Sequence, residues 1–275
     1  MRLFCGNLAV FRDAISILRR NRHLTYEMAK RDISDRYVGQ AFGMVWAFGH
    51  PLFMMGLYVF VFAIVFKTKI GGTPEMPLDY VTYLFSGLVA WMIFQESLVK
   101  SCTAITSNSS LVKQVVFPLE ILPVKGVLAS LFQQGILLLF LVAYVLIRYG
   151  TLPWTYVLLP VLIGWQLVLM IGLAYLLSAV GAYFRDLKDF VQLFAVSGIY
   201  LLPVVYLPDW VPDLFRPLLY ANPLSYMIWC YQDVLYFGRI EHPWAWVINF
   251  IFSFLVFIIG YRVFNKLKLM FGNVL

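Results

Sequence analysis

Six long apolar runs, separated by short charged connections, constrain this chain more than any other feature. They cover residues 46–66, 80–98, 127–147, 154–184, 190–207 and 244–261. A helix needs about 20 apolar residues to cross a bilayer. Six such runs leave no room for a large soluble domain. Of the 275 residues, 62% are hydrophobic and 13% charged, against about 25% charged in an ordinary soluble domain. A soluble enzyme, a disordered chain and a collagen-like repeat are thereby excluded. The expected fold class is an all-α integral membrane protein with six transmembrane helices. The run at 154–184 exceeds a hydrocarbon core at about 1.5 Å of rise per residue, so it is expected to tilt or project into water. The run at 190–207 is short and contains Pro203.

The basic residues set the orientation. Sixteen of the 21 Lys and Arg fall in the first 45 residues, the second and fourth connections and the C-terminus, against five on the opposite side. The positive-inside rule then places both termini in the cytoplasm. The net charge of +7 would suggest nucleic acid in a soluble protein. Here the charges sit almost entirely outside the apolar runs, so no nucleic-acid partner is expected. Cys5, Cys102 and Cys230 are too scattered for a disulfide framework or a metal site. Arg12, Arg19, Arg20 and Arg22 interrupt the N-terminus before an apolar core forms, so no cleavable signal is expected there.

Four segments are not plain spans. In the N-terminal region Phe11, Ala14, Ile15 and Leu18 share a helical face. A second stretch puts Tyr26, Ile33 and Tyr37 on one face, with Lys30, Arg31 and Arg36 elsewhere. Thr25 is expected to cap its start, with Glu27 in the first turn. A basic amphipathic helix before a span reads as lying in the cytoplasmic interface; a plain membrane anchor is the alternative. In the second connection, NSSLVKQVVFP at 108–118 reads as a short helix capped by Asn108 or Ser109 and closed by Pro118. Leu111, Val115 and Val116 give it an apolar face that fits a groove on a cytoplasmic partner; a loop is the alternative. AYFRDLKD at 182–189 ends the long fourth run on the same side, where a solvated turn is the simpler reading. Finally, five prolines punctuate 203–238. The stretch 217–232 is expected to form two short helices meeting at Asn222-Pro223. Broken backbone at membrane depth is tolerated inside protein or beside a cavity. A re-entrant hairpin fits this, and a helical cap on the outer interface is the alternative.

Several chemistries are missing. No glycine is followed by lysine, so the P-loop pattern is absent, as are HExxH and CxxC. The ionisable residues Glu96, Lys100 and Asp233 lie close to run boundaries, where snorkelling or a loop explains them as well as function does. Aromatic residues make up 18% of the chain. An interfacial belt accounts for Trp46, Trp154 and Trp244, and a glycan pathway is compatible with the remainder.

Taken in order, these motifs resemble the membrane subunits of type-2 ABC exporters, in the branch that exports O-antigen, capsule and teichoic acid. RDISDRYVGQAFGMVWAFGHPLFMMGLYVFVFAIVF at 31–66 resembles the family's interface helix and first span. NSSLVKQVVFPLEILPV at 108–124 resembles its coupling helix and third span. FRDLKDF at 184–190 resembles a second cytoplasmic contact, and LLPVVYLPDWVP at 201–212 with NPLSY at 222–226 resembles the outer helices. The FPLEILP run and the NxxL spacing lean toward the O-antigen and teichoic acid type.

The resemblance implies a cytoplasmic region at 1–45, a transmembrane domain at 46–264 and a cytoplasmic tail at 265–275. It implies a homodimer in a bacterial inner membrane, docked to two ATP-binding cassette subunits that hold ATP and magnesium, with no cofactor on this chain. Asn108, Leu111, Val112, Val115, Phe117, Arg185 and Asp186 are then candidates for ATPase coupling. Tyr26, Arg31, Asp32, Arg36 and Tyr37 belong to the interface helix. Pro203, Tyr206, Trp210, Tyr220 and Asn222 are candidates for an outer gate or for lining a path for a lipid-linked glycan. A drug or small-lipid exporter of the same fold, and a membrane enzyme of glycan assembly, are the alternative classes; the second would need a cluster of catalytic acids.

Overall fold

A computed structural model of the chain describes residues 2–66, 76–113 and 117–274. Helices dominate, and no strand occurs among the described residues. Two helices, α1 (Arg2–Arg20) and α2 (Arg22–Tyr37), precede a turn into α3 (Trp46–Val59), which continues as a π-helical segment to Val65. Then follow α4 (Tyr80–Cys102), the one-turn α5 (Ser109–Val112), α6 (Ile121–Tyr149) and α7 (Leu159–Tyr183). The remainder comprises α8 (Leu187–Leu201), α9 (Arg216–Ala221), α10 (Pro223–Gln232), α11 (Pro243–Leu267) and α12 (Phe271–Val274).

Among the described residues, five segments are long and apolar enough to cross a membrane: Gly43–Val65, Tyr80–Cys102, Ile121–Tyr149, Trp154–Tyr183 and Pro243–Met270. The run at 190–207 behaves differently. Its helix, α8, has 15 residues and stops at Leu201, with Leu202 extended. Pro203 is the cause, since a residue before proline is pushed out of helical geometry. Fifteen residues reach about 22 Å at helical rise, short of a full crossing. The long fourth run starts with a 3-10 turn, Trp154–Leu158, before α7.

Local chemistry sets the ends. Asp79 caps α4 by accepting from the Thr82 amide at 3.0 Å and hydroxyl at 2.6 Å, which satisfies donors that a helix start leaves free. Its other oxygen accepts from Tyr144 at 2.6 Å, tying the start of α4 to α6. Gly150, at φ +74°, ends α6 in the left-handed region that glycine adopts without strain. Pro243 opens α11 at a position where a missing amide costs nothing.

The core is built around α4. Of its most apolar stretch 72% is buried, against 11% for the first span, which therefore lies at the periphery. Trp91, Phe94 and Leu88 fill the centre, with α6, α7, α8 and α10 around them. The seam between α7 and α11 is tight. A Cβ on Gly172 would sit 2.5 Å from the Phe257 Cα, and one on Gly260 would overlap the Gly172 carbonyl. Backbones approach closely where small residues meet, the usual device for joining helices in lipid.

The N-terminal helices and the tail pack against the bundle. Phe11 of α1 meets Phe254 and Phe257 of α11 at 5.4 and 5.1 Å between rings. Ala14 is buried, whereas Ile15 of the expected apolar face is exposed. Past residue 264 the chain does not leave the bundle: α11 runs on to Leu267, and Phe271 is buried against Phe264.

Candidate functional site

Two ends of the bundle hold the candidate residues. At the basic end, α2 lies against α6 by a face that the sequence does not advertise. The residues turned inward are Thr25, Ala29, Asp32 and Arg36, while Tyr26 is 64% exposed. Ile33 and Tyr37 are half-buried, as Asp32 and Arg36 are. Ion pairs add to the burial of Thr25 and Ala29 and the packing of Met28 in holding this helix. Asp32 accepts from Lys125 of α6 at 2.9 Å, and Lys125 also donates to the Asn108 side chain at 3.2 Å. Arg36 reaches Glu96 of α4 at 2.6 Å and Gln133 of α6 at 2.9 Å, and lies over the Tyr37 ring. Arg31 pairs along its own helix, with Asp35 at 3.3 Å. Thr25 is not the cap: α2 starts three residues earlier, and the Thr25 hydroxyl donates back to the Asn21 carbonyl.

The connection at 103–120 joins the same end. A 3-10 turn, Thr106–Asn108, leads into α5. Asn108 does not cap α5 with its side chain; its amide donates to the Ala104 carbonyl and its oxygen takes the Lys125 ammonium. Val112 is buried, and Leu111 and Phe117 pack against the same cluster around Tyr175 and Phe264. Three of the coupling candidates thus turn inward, and Ser107, Ser110 and Lys113 form the exposed side. Val115 lies outside the described residues. Arg185 and Asp186 are exposed, and Arg185 shares a cavity of about 390 Å³ with Cys102, Thr103, Thr106 and Ser109. The two cytoplasmic contact segments expected from sequence are therefore neighbours. Their closeness rests on Gly181, where a Cβ would overlap the Cys102 carbonyl.

A larger cavity of about 580 Å³ opens between α2, α3, α4, α6 and α8, with Arg36, Glu96 and Lys100 on its wall. Sequence reasoning treated Glu96 and Lys100 as boundary charges. Their spacing of four residues on one helix, with glutamines at 95 and 133, was the signal available.

At the opposite end α9 and α10 meet at Asn222-Pro223, as expected. Asn222 caps α10 by accepting from the Leu224 amide at 3.1 Å. A π-helical turn, Asp233–Phe237, follows and closes at Gly238 with φ +65°. Asp233 is fully buried. It accepts from the His242 amide at 3.1 Å and Trp246 Nε1 at 2.9 Å, and lies 2.8 Å from His242 Nδ1. Neither snorkelling nor an exposed loop describes Asp233, whose side chain is enclosed.

The gate candidates divide between two tasks. The Pro203 carbonyl accepts from Gln232 at 2.7 Å, and the Tyr206 carbonyl from Tyr83 at 3.0 Å. These two and Asn222 fix backbone. Trp210 and Tyr220 are each nearly half exposed. Between them runs a string of ring contacts through Tyr80, Tyr83, Tyr236, Phe237, His242 and Trp229. Tyr80, Tyr83, Tyr236 and Trp229 are buried, so most of this string is packing, and only its ends offer ring faces to a ligand.

The fold and its apolar helices define a multi-pass, all-helical membrane protein. The chain belongs to the ABC-2 type transporter family, whose model matches residues 23–236. It is 27% identical over 251 residues to an O-antigen export system permease protein of Klebsiella pneumoniae, covering 90% of this chain and 93% of that one. A protein of the same description from Myxococcus xanthus is 31% identical over 222 residues, covering 80% and 82%.

Proposed function

We propose that this chain is the membrane-spanning subunit of an ATP-driven exporter that carries a lipid-linked polysaccharide of the O-antigen kind from the cytoplasmic side across a bacterial inner membrane. The observation that carries the reading is similarity to O-antigen export permeases along 93% of a relative's length. The basic count supports cytoplasmic termini. Separate ATP-binding subunits supply ATP, magnesium and hydrolysis. Two copies pair through the peripheral first span and α8, whose Phe53, Phe60, Leu193 and Tyr200 are exposed and apolar. In this reading α8, the turn after it and the α9–α10 hairpin together make the sixth crossing. Motion of the ATPase pair enters through Ser107, Ser110, Arg185 and Asp186 and reaches α2 through Lys125. Trp210 and Tyr220 present ring faces to sugar at the outer mouth.

Co-purification from the native host in mild detergent tests this, with mass spectrometry of bound protein and lipid. An ATP-binding subunit at equal stoichiometry and a polyprenyl-linked sugar are expected. Recovery without any ATPase, under conditions that preserve other membrane complexes, overturns the reading.

A further inference from the structure

We propose that the segment following α11 is a clasp between the two contact segments, and that Lys268 is the positioning residue through which the 103–120 connection follows the end of α7. The proposal rests on the exporter reading and goes beyond it by adding a further element to the path of motion.

The two contact segments meet where Gly181 faces the Cys102 carbonyl. Beside that point a cavity of about 390 Å³ lies between them. A van der Waals contact resists being pushed together far more than it resists being pulled apart. Motion in one direction passes through it, and the return stroke needs a tie.

The segment after α11 supplies a tie to each side. Towards α7, the Tyr183 hydroxyl donates to the Leu267 carbonyl at 3.3 Å, and its ring lies 6.2 Å from that of Phe271. Tyr183 is the last residue of α7, two positions before Arg185. Phe271 is fully buried and also meets Phe264, at 5.6 Å between rings. Towards the connection, Lys268 Nζ donates to Glu120 Oε1 at 2.6 Å. Glu120 directly precedes α6 and so closes the connection. Between these anchors Leu269 and Met270 are exposed, so the segment is held at its anchors rather than along its length.

An ion pair suits this task. The Glu120 side chain is 8% exposed and that of Lys268 30%. A carboxylate buried to that degree stays charged at low cost when a cation remains beside it, so Glu120 follows Lys268. The lysine stem is flexible, and the joint tolerates small changes in spacing. The α11 backbone is in turn held against α7 at Gly172 and Gly260. The two helices move as one body, and the clasp hands their displacement to the connection and to the start of α6.

The test uses the permease with its ATP-binding partner. Glycan reaching the cell surface is measured in the native host, and complex recovery, Tm and ATP hydrolysis are measured on the same variants in nanodiscs. Lys268→Gln and Glu120→Gln are each expected to lower export per ATP hydrolysed about tenfold, the scale of one hydrogen bond between charged groups. The double variant is expected to be no worse than either single one, and Lys268→Arg to keep most of the export. Complex recovery, Tm and ATP hydrolysis are expected to stay at parental values. Full export in Lys268→Gln overturns the clasp while leaving the exporter standing. Losses that multiply in the double variant overturn the pairing. A fall in Tm that carries ATP hydrolysis down with it reduces Lys268 to packing and overturns its positioning role. A stable Lys268→Gln permease that no longer retains its partner makes Lys268 a docking residue and overturns the clasp. A parental complex that exports no glycan overturns the exporter itself.

Discussion

The two ends of this bundle are fastened by different physics. At the basic end the joints are ion pairs with at least one partly exposed partner each: Asp32 with the buried Lys125, Arg36 and Lys100 with Glu96, Lys268 with the buried Glu120. At the opposite end they are buried rings, carbonyls held by tyrosine and glutamine, and one enclosed carboxylate. Partly exposed pairs contribute about 0–1 kcal/mol each and exchange partners readily. Buried networks hold their members more firmly, because each unpaired buried polar group is costly. The first arrangement suits a region that must rearrange during each cycle. The second suits a hairpin that must keep its shape while its surroundings move.

The largest expected effect lies at the end that holds Asp233. Asp233→Ala leaves the His242 amide and Trp246 Nε1 without their acceptor, at a cost of about 3 kcal/mol or more. Thermal unfolding of the purified protein should show a marked drop in Tm. A variant as stable as the parent would break the contrast, because that end would then tolerate loss of its central joint. An intermediate effect is expected for Lys125→Met, which uncouples α2 from the 103–120 connection. About 1–2 kcal/mol is expected, read as faster amide exchange in α2 with the α9–α10 hairpin unchanged. The smallest belongs to Arg31→Ala, whose pair with Asp35 is exposed on both sides and contributes less than about 0.5 kcal/mol. Raising the salt concentration sharpens the same contrast: screening should speed proteolysis near residues 38–45 and leave 203–242 unaffected.

The spans were legible because apolar length alone defines a crossing helix, and the runs beginning at Tyr80 and Trp154 match helices that start at those residues. The early end of α8 was half legible, since Pro203 was visible but the extended Leu202 before it followed only from its geometry. The face by which α2 meets α6 was illegible for a physical reason. Periodicity finds faces that are buried because they are apolar, and this helix is held by Asp32 and Arg36, whose partners lie 93 and 97 residues away. The ring string was illegible for the same reason: Tyr80 and Tyr83 meet residues more than 120 positions distant.

The meeting of Gly172 with Gly260 has a consequence for how such a chain varies through descent. Most helix contacts drift by compensation, one side chain growing as its neighbour shrinks. Here both positions already hold the smallest residue there is, and each would drive a Cβ into the opposite backbone. No shrinking partner exists to absorb an enlargement at either site. The only remaining route is to shift α7 or α11 bodily, and with it the Tyr175 and Phe257 contacts above and below. That seam is a dead end for gradual change, and substitutions there should vanish from a population long before those at the charged end do.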